Sequence, residues 1–137
     1  MSNKWYEKTF VDAALFVTRV SSGLILAIFH GLPKLQGFQM HFHSFADPLG
    51  VGSELSYILT VGAEFVCTLL VALGLFTRLA TIPVIALFCA LFFIHHGYEP
   101  LMAREKLFFY GLPFLTIFLA GPGKYALDRI RWGGGAK

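Results

Sequence analysis

Apolar residues run almost unbroken through four stretches of the chain, roughly 11–32, 55–76, 79–96 and 104–120, with short polar segments between them. A bilayer's hydrocarbon core is ~30 Å thick, and a helix crosses it with about 20 residues at 1.5 Å each. The first two stretches reach that length outright. The third does so by taking in His95 and His96, and the fourth by adding the turn at 103–106, whose long side chains can snorkel to the interface. Helices of a soluble bundle keep a charged face, yet 66–76 and 82–94 carry no charge on any face. The pattern predicts an all-α transmembrane four-helix bundle with short connections.

Composition agrees: 56% of residues are hydrophobic, 14% are charged and the mean hydropathy is +0.67, against roughly half and a quarter in soluble chains. With no linker, low-complexity tract or repeat, one membrane domain over 1–137 accounts for the chain. The first stretch follows Lys4 and Lys8 as a signal peptide would, but it contains Arg19 and no small-x-small cleavage signal ends it, so a retained span is expected. Lys4, Lys8, Arg78, Lys124, Arg129, Arg131 and Lys137 fall on one side of a four-span chain and only Lys34, Arg104 and Lys106 on the other. Basic flanks stay inside, which predicts cytoplasmic termini. The pI near 9 calls for no nucleic acid; the basic tail, with Tyr125 and Trp132 interleaved, suits anionic headgroups of the lipid bilayer.

In that orientation all five histidines, His30, His41, His43, His95 and His96, fall at the outer interface or in the first outer loop. Imidazoles suit several transition metals, which makes these the candidate metal ligands, although their spacing is not that of a closed zinc site. The ionisable residues within the spans weigh more, because an unpaired charge at depth costs about 2.5–3.5 kcal/mol even on the lenient insertion scale. Arg19 and Glu64 are the deepest of them. At about 100° per residue Asp12, Arg19 and His30 share a stripe on the first helix, flanked by Gly23, Ala27 and Gly31, a small-xxx-small face that lets another helix approach closely. The second helix answers with Ser56, Thr60, Glu64 and Thr68. An interaction between Arg19 and Glu64 is expected, either as a structural ion pair or as a proton-relay or ligand site. Cys67 and Cys89 lie at nearly equal depth on adjacent helices, as a facing dithiol or as two small buried hydrophobes.

These residues carry a resemblance to the DoxX family of small four-span membrane proteins. It rests on Arg19 with Gly23, on His30-Gly31-x-x-Lys34-Leu35, on Glu64 followed by Leu-Gly-Leu-Phe-Thr-Arg at 73–78, on the helix ending at His95, on Glu105, and on Gly-Pro-Gly-Lys-Tyr-Ala-Leu-Asp at 121–128. The resemblance implies a bacterial cytoplasmic membrane location and an association with redox chemistry, since relatives are similar to the small subunit of thiosulfate:quinone oxidoreductase and others accompany thiol or oxidative-stress proteins. Transferred residue by residue, it marks Arg19, His30, Glu64, His95 and Glu105 as the site. This chain lacks a dithiol motif and a fused thiosulfate-binding domain, so thiosulfate specificity does not carry over.

Two functions from different classes are compatible with these residues. In the first, the chain is a quinone-linked or redox-associated component acting with a partner oxidoreductase, because it has no flavin, haem or iron-sulfur motif to supply electrons itself. Glu64 and Arg19 would then be catalytic, and His30, His95, His96, Glu105 and Lys34 would bind the ligand; a quinone is the leading cofactor and a metal ion the weaker one. In the second, it is a non-catalytic scaffold or accessory subunit whose buried charges serve the fold. A homo-oligomer is compatible with either. Transport is the weaker third choice, since four spans are few for alternating access.

Overall fold

The computed structural model describes residues 4–132. Helix α1 spans Lys4–Gln36, α2 Phe38–His41, α3 Ser53–Leu73, α4 Thr77–His95, α5 Leu101–Ala120 and α6 Leu127–Trp132, and no β-strand occurs among the described residues. Helices α1, α3 and α4 are long and apolar enough to cross a membrane. Helix α5 matches them in length but carries Arg104, Glu105 and Lys106 in its first two turns. Lys137, one of the basic flank residues, lies outside the described residues.

Helix α1 packs on α3 and α5, α3 on α4, and α4 on α5. The shared core is built from Leu26, Val71, Ala80, Val84, Phe88, Phe114 and Ile117, while Phe29, Phe93 and Leu119 point outward. An apolar exterior around an apolar core is the arrangement of a lipid-embedded fold, in which packing rather than water exclusion draws helices together. Three single turns are π-helical: Ala27–Gly31 in α1, Gly62–Cys67 in α3 and Leu91–His95 in α4. The wide turn of α1 lies just before Pro33, which has no N–H to offer the preceding turn.

Small residues set how closely α1 and α3 approach. A Cβ added at Gly23 would lie 2.6 Å from the Thr68 carbonyl oxygen and 2.9 Å from the Ala72 Cβ, and one at Gly31 would lie 2.6 Å from the Glu64 carbonyl oxygen. Ala27 between them is fully buried. The small-residue face of α1 therefore receives the backbone of α3.

At the end of the fold holding the start of α1, which we call the terminal face, the segment after α5 is tied to three elements. The Lys124 N–H donates to Asp12 of α1 (2.9 Å), the Asp128 N–H donates to the Gly74 carbonyl (2.8 Å), and the Asp128 carboxylate accepts from the N–H of Phe76 (2.6 Å), the N–H of Thr77 (2.8 Å) and the Thr77 hydroxyl (2.7 Å). Phe76 precedes α4 in the left-handed region, φ 49°, where its own side chain offers no cap. Asp128, reaching over from α6, supplies the missing acceptor at the positive end of the α4 dipole. Burial alone would raise the Asp128 carboxyl, but the bonds from Thr77 and Phe76, with the Arg19 charge, hold it below the usual carboxylate range.

At the opposite end, the loop face, Phe38, Phe42 and Phe45 surround the buried Tyr57 ring with centroids 5.3, 6.4 and 4.9 Å away. Asp47 accepts from the Ser56 hydroxyl, from the Gly52 N–H (2.7 Å) and from the Val51 N–H (3.1 Å), closing the loop onto the start of α3.

Two measurements in detergent check this packing. Gly31→Ala should destabilise by ~1–3 kcal/mol because backbone rather than a flexible side chain must yield, whereas Gly62→Ala, with nothing within 4 Å of the new Cβ, should leave the thermal midpoint unchanged or raise it. Asp128→Asn should cost ~1–2 kcal/mol at neutral pH. A carboxyl depressed in the fold contributes stability above its unfolded pKa and loses it as pH falls through the folded value, so the gap between wild type and Asp128→Asn should close below about pH 4.

Candidate functional site

Two polar centres lie inside the fold at different levels. The first is built around Glu64, buried at 4% exposure on the wide turn of α3. Its carboxylate is ion-paired with the Lys34 ammonium, which comes in from the loop-face end of α1. Lys34 keeps 28% of its side chain exposed and Glu64 5%, so the pair joins a buried acid to an accessible base. Tyr57 donates its hydroxyl to the Lys34 carbonyl (2.5 Å), and Thr68 donates to the Glu64 carbonyl (2.6 Å), fixing the backbone on both sides. One turn before Lys34, the His30 ring stands edge-on to Tyr110 of α5 at 4.9 Å, and Glu64, Lys34 and Lys106 are the charges that act on it. The Thr60 hydroxyl, one turn from Glu64, is buried with no partner among the described residues. A carboxylate, an ammonium, an imidazole and a phenol in one region can hold and pass protons.

The second centre belongs to Arg19, which is 1% exposed. Its Nη1 donates to the carbonyls of Val71 (3.1 Å) and Ala72 (2.6 Å), its Nη2 donates to the Tyr125 carbonyl (3.2 Å), and the guanidinium lies 5.6 Å from the Phe16 ring centre. The last carbonyls of a helix have no intrahelical donor and carry the negative end of its dipole, so Arg19 caps α3. Gly74, at φ 76°, makes room: a Cβ there would lie 2.6 Å from Arg19 Nη1 and 2.6 Å from the Ala126 Cβ.

The expected contact between Arg19 and Glu64 is therefore not formed. Arg19 is level with the last turn of α3, seven residues beyond Glu64, or ~10 Å along the axis. Backbone carbonyls at that level accept from its Nη1, and Lys34, from the loop-face end of α1, pairs with Glu64.

The remaining candidates are scattered over the loop face. His95 is exposed, its nearest ring being that of His96 at 4.6 Å. His96 Nδ1 meets Glu99 at 2.9 Å, and this hydrogen bond holds the Glu99 carboxyl below its usual value. His43 pairs with Glu54 at 2.7 Å, and His41 is exposed. Glu105 is exposed, with no hydrogen bond or ion pair to the described residues. Among the described residues no three His, Cys, Asp or Glu side chains gather to hold a metal ion. Cys67 packs against the core and Cys89 lines an outward groove, both as free thiols. Tyr110, Lys106 and the unpartnered Thr60 join the Glu64 region without having been singled out as site residues. The four-residue spacing of Lys106 and Tyr110 on α5 was the available signal, together with the place of Thr60 in the hydroxyl row.

Two membrane-facing grooves adjoin this region. One, of about 270 Å³ between α4 and α5, is lined by Phe88, Phe92, Phe93, Phe108 and other apolar side chains. The other, of about 310 Å³ between α1 and α5, combines Ile25, Phe109 and Phe114 with the hydroxyls of Thr18, Ser21, Ser22 and Tyr110. Tyr110 thus touches both the second groove and His30.

Breaking the ion pair from one side should cost more than removing both charges. Lys34→Gln leaves a buried carboxylate without its partner and should cost about 2–4 kcal/mol, the lower end reflecting the exposure of Lys34, while Lys34→Gln with Glu64→Gln should recover at least half of that. Thermal unfolding of the four proteins in one detergent measures the cycle.

Comparison with curated proteins gave no match, and comparison with solved structures gave none either. The DoxX family profile matches residues 14–97, which include Arg19, His30, Lys34, Glu64 and His95. That match covers more than half of the sequence and, with the long apolar helices, establishes that this membrane protein belongs to the DoxX family.

Proposed function

We propose that this protein is a redox-associated membrane component that works with a partner oxidoreductase and a quinone, and that Glu64, Lys34 and His30 handle the protons of that reaction. The observation that carries the reading is the buried Glu64 carboxylate, ion-paired with a part-exposed lysine and accompanied by an imidazole and a phenol. Ionisable groups at such depth are costly and mark proton or ligand pathways. Reduction of a quinone to its quinol takes two electrons and two protons. With electrons from the partner, the carboxyl and imidazole would be the groups that hold and pass protons for a bound quinone.

The groove between α1 and α5 suits the quinone ring better than the wholly apolar one between α4 and α5. Its aromatic wall can stack on the ring, and the Tyr110 side chain both lines the groove and meets His30. His95, His96 and Glu105 border the loop face, where a partner subunit would meet them. We further propose that α5 completes a four-span bundle. Arg104 supports this: its guanidinium folds back onto the Phe92 ring (4.7 Å) and carbonyl (3.0 Å), which removes its charge from the lipid side. The basic residues of the terminal face favour a cytoplasmic orientation for both termini in a bacterial cytoplasmic membrane.

A scaffold reading draws on a different observation, the use of Arg19 and Asp128 to cap helix ends. Lipid extraction and mass spectrometry of the purified protein separate the two. The redox reading expects about one quinone per chain, and Glu64→Gln that keeps the quinone while losing roughly 10²-fold or more of quinol formation with the partner. A quinone-free protein, or unchanged turnover in Glu64→Gln, would leave the scaffold.

A further inference from the structure

We propose that the terminal face carries a specific site for the phosphodiester headgroup of an anionic lipid, in the pocket between the first turns of α1 and the segment after α5. The pocket, of about 460 Å³, is lined by Trp5, Lys8, Thr9, Asp12, Lys124 and Arg129. Lys8, Lys124 and Arg129 are exposed and make no ion pair among the described residues. Asp12, the one acid in the lining, is already engaged by the Lys124 N–H. Three cations and one carboxylate thus line one concavity, leaving an excess of positive charge.

Its level in the fold identifies the anion's source. Asp12 is seven residues, or ~10 Å, below Arg19 and Lys8 a further turn below that, which places the pocket where the buried part of the fold ends. Trp5 and Ile130 are both about three-quarters exposed there, and just above, Phe16 and Tyr125 meet edge to face at 5.8 Å, each partly exposed. Amphipathic rings beside basic side chains at this depth are the setting of a lipid headgroup. The phosphate meets the three cations while the acyl chains lie along the exposed apolar side of α1. Because the same residues that tie the tail to α1 line the pocket, a bound lipid clamps the terminal face. The site is independent of the redox reading.

The test titrates the full chain in neutral detergent with short-chain phosphatidylglycerol, phosphatidylcholine and glycerol phosphate, following the thermal midpoint. Phosphatidylglycerol should raise the midpoint saturably, and phosphatidylcholine should not. At about 1 kcal/mol per basic residue near a lipid phosphate, Lys8→Gln should weaken the apparent affinity about fivefold and the triple change K8Q, K124Q and R129Q roughly a hundredfold. Arg129→Lys should bind nearly as the wild type does, which keeps the test decisive if the triple variant does not fold. Equal shifts from both lipids, or affinity unchanged by Lys8→Gln, would overturn the site. Glycerol phosphate binding as tightly as phosphatidylglycerol would assign the pocket to a soluble phosphoester and overturn the lipid.

Discussion

A charge carried into hydrocarbon has to find its partner inside the protein, and the fold is arranged around two solutions to that constraint. Arg19 is held without any acid in direct contact: carbonyls at the end of α3 and one from the tail accept from its Nη1 and Nη2, and its buried Nε has no partner among the described residues. Glu64 is neutralised by Lys34, which reaches down from the loop face. One solution uses backbone dipoles that are fixed once α3 exists. The other uses an ammonium whose side chain stays partly exposed.

The two centres differ in how they are built. Around Arg19 the structure is closed, because Gly74, Ala126 and the Asp128 bonds to the α4 start interlock with the guanidinium. A change at any of them disturbs the α3–α4 turn and the tail together. Around Glu64 the structure is looser in kind: a π-turn on each of α1 and α3, an unpartnered Thr60 hydroxyl, and an imidazole beside a phenol. Wide turns of this sort recur at functional sites because they free backbone and side-chain positions from the regular ladder.

Much of this was legible in the chain. Apolar length located the long helices, Gly23, Ala27 and Gly31 marked the face that receives α3, and Glu64 stood out as an acid in an apolar run. The partners were harder to see. A straight wheel carried from Asp12 to His30 assumes 3.6 residues per turn throughout, whereas α1 widens at Ala27–Gly31 and re-aims the side chains beyond that turn. Lys34 reads as an outer flank charge and a ligand contact rather than as the partner of Glu64, because its backbone is at the end of a span, but its long side chain returns toward the interior. Asp128 sits in a motif that resembled a tail, and only the left-handed Phe76 shows why an acid is needed there. Opposite formal charges suggested that Arg19 and Glu64 were a pair; backbone carbonyls, which no charge count includes, were the stronger claim on Arg19.

The separation of the two centres is the claim on which the account rests, and a double-mutant cycle between Arg19 and Glu64 measures it. With unfolding free energies for the wild type, Arg19→Gln, Glu64→Gln and the double variant, the account predicts that the two losses add to within about 0.5 kcal/mol, as they do for sites without a shared partner. A coupling well above 1 kcal/mol, with the double variant recovering stability that either single change loses, would contradict it and return both charges to a single site.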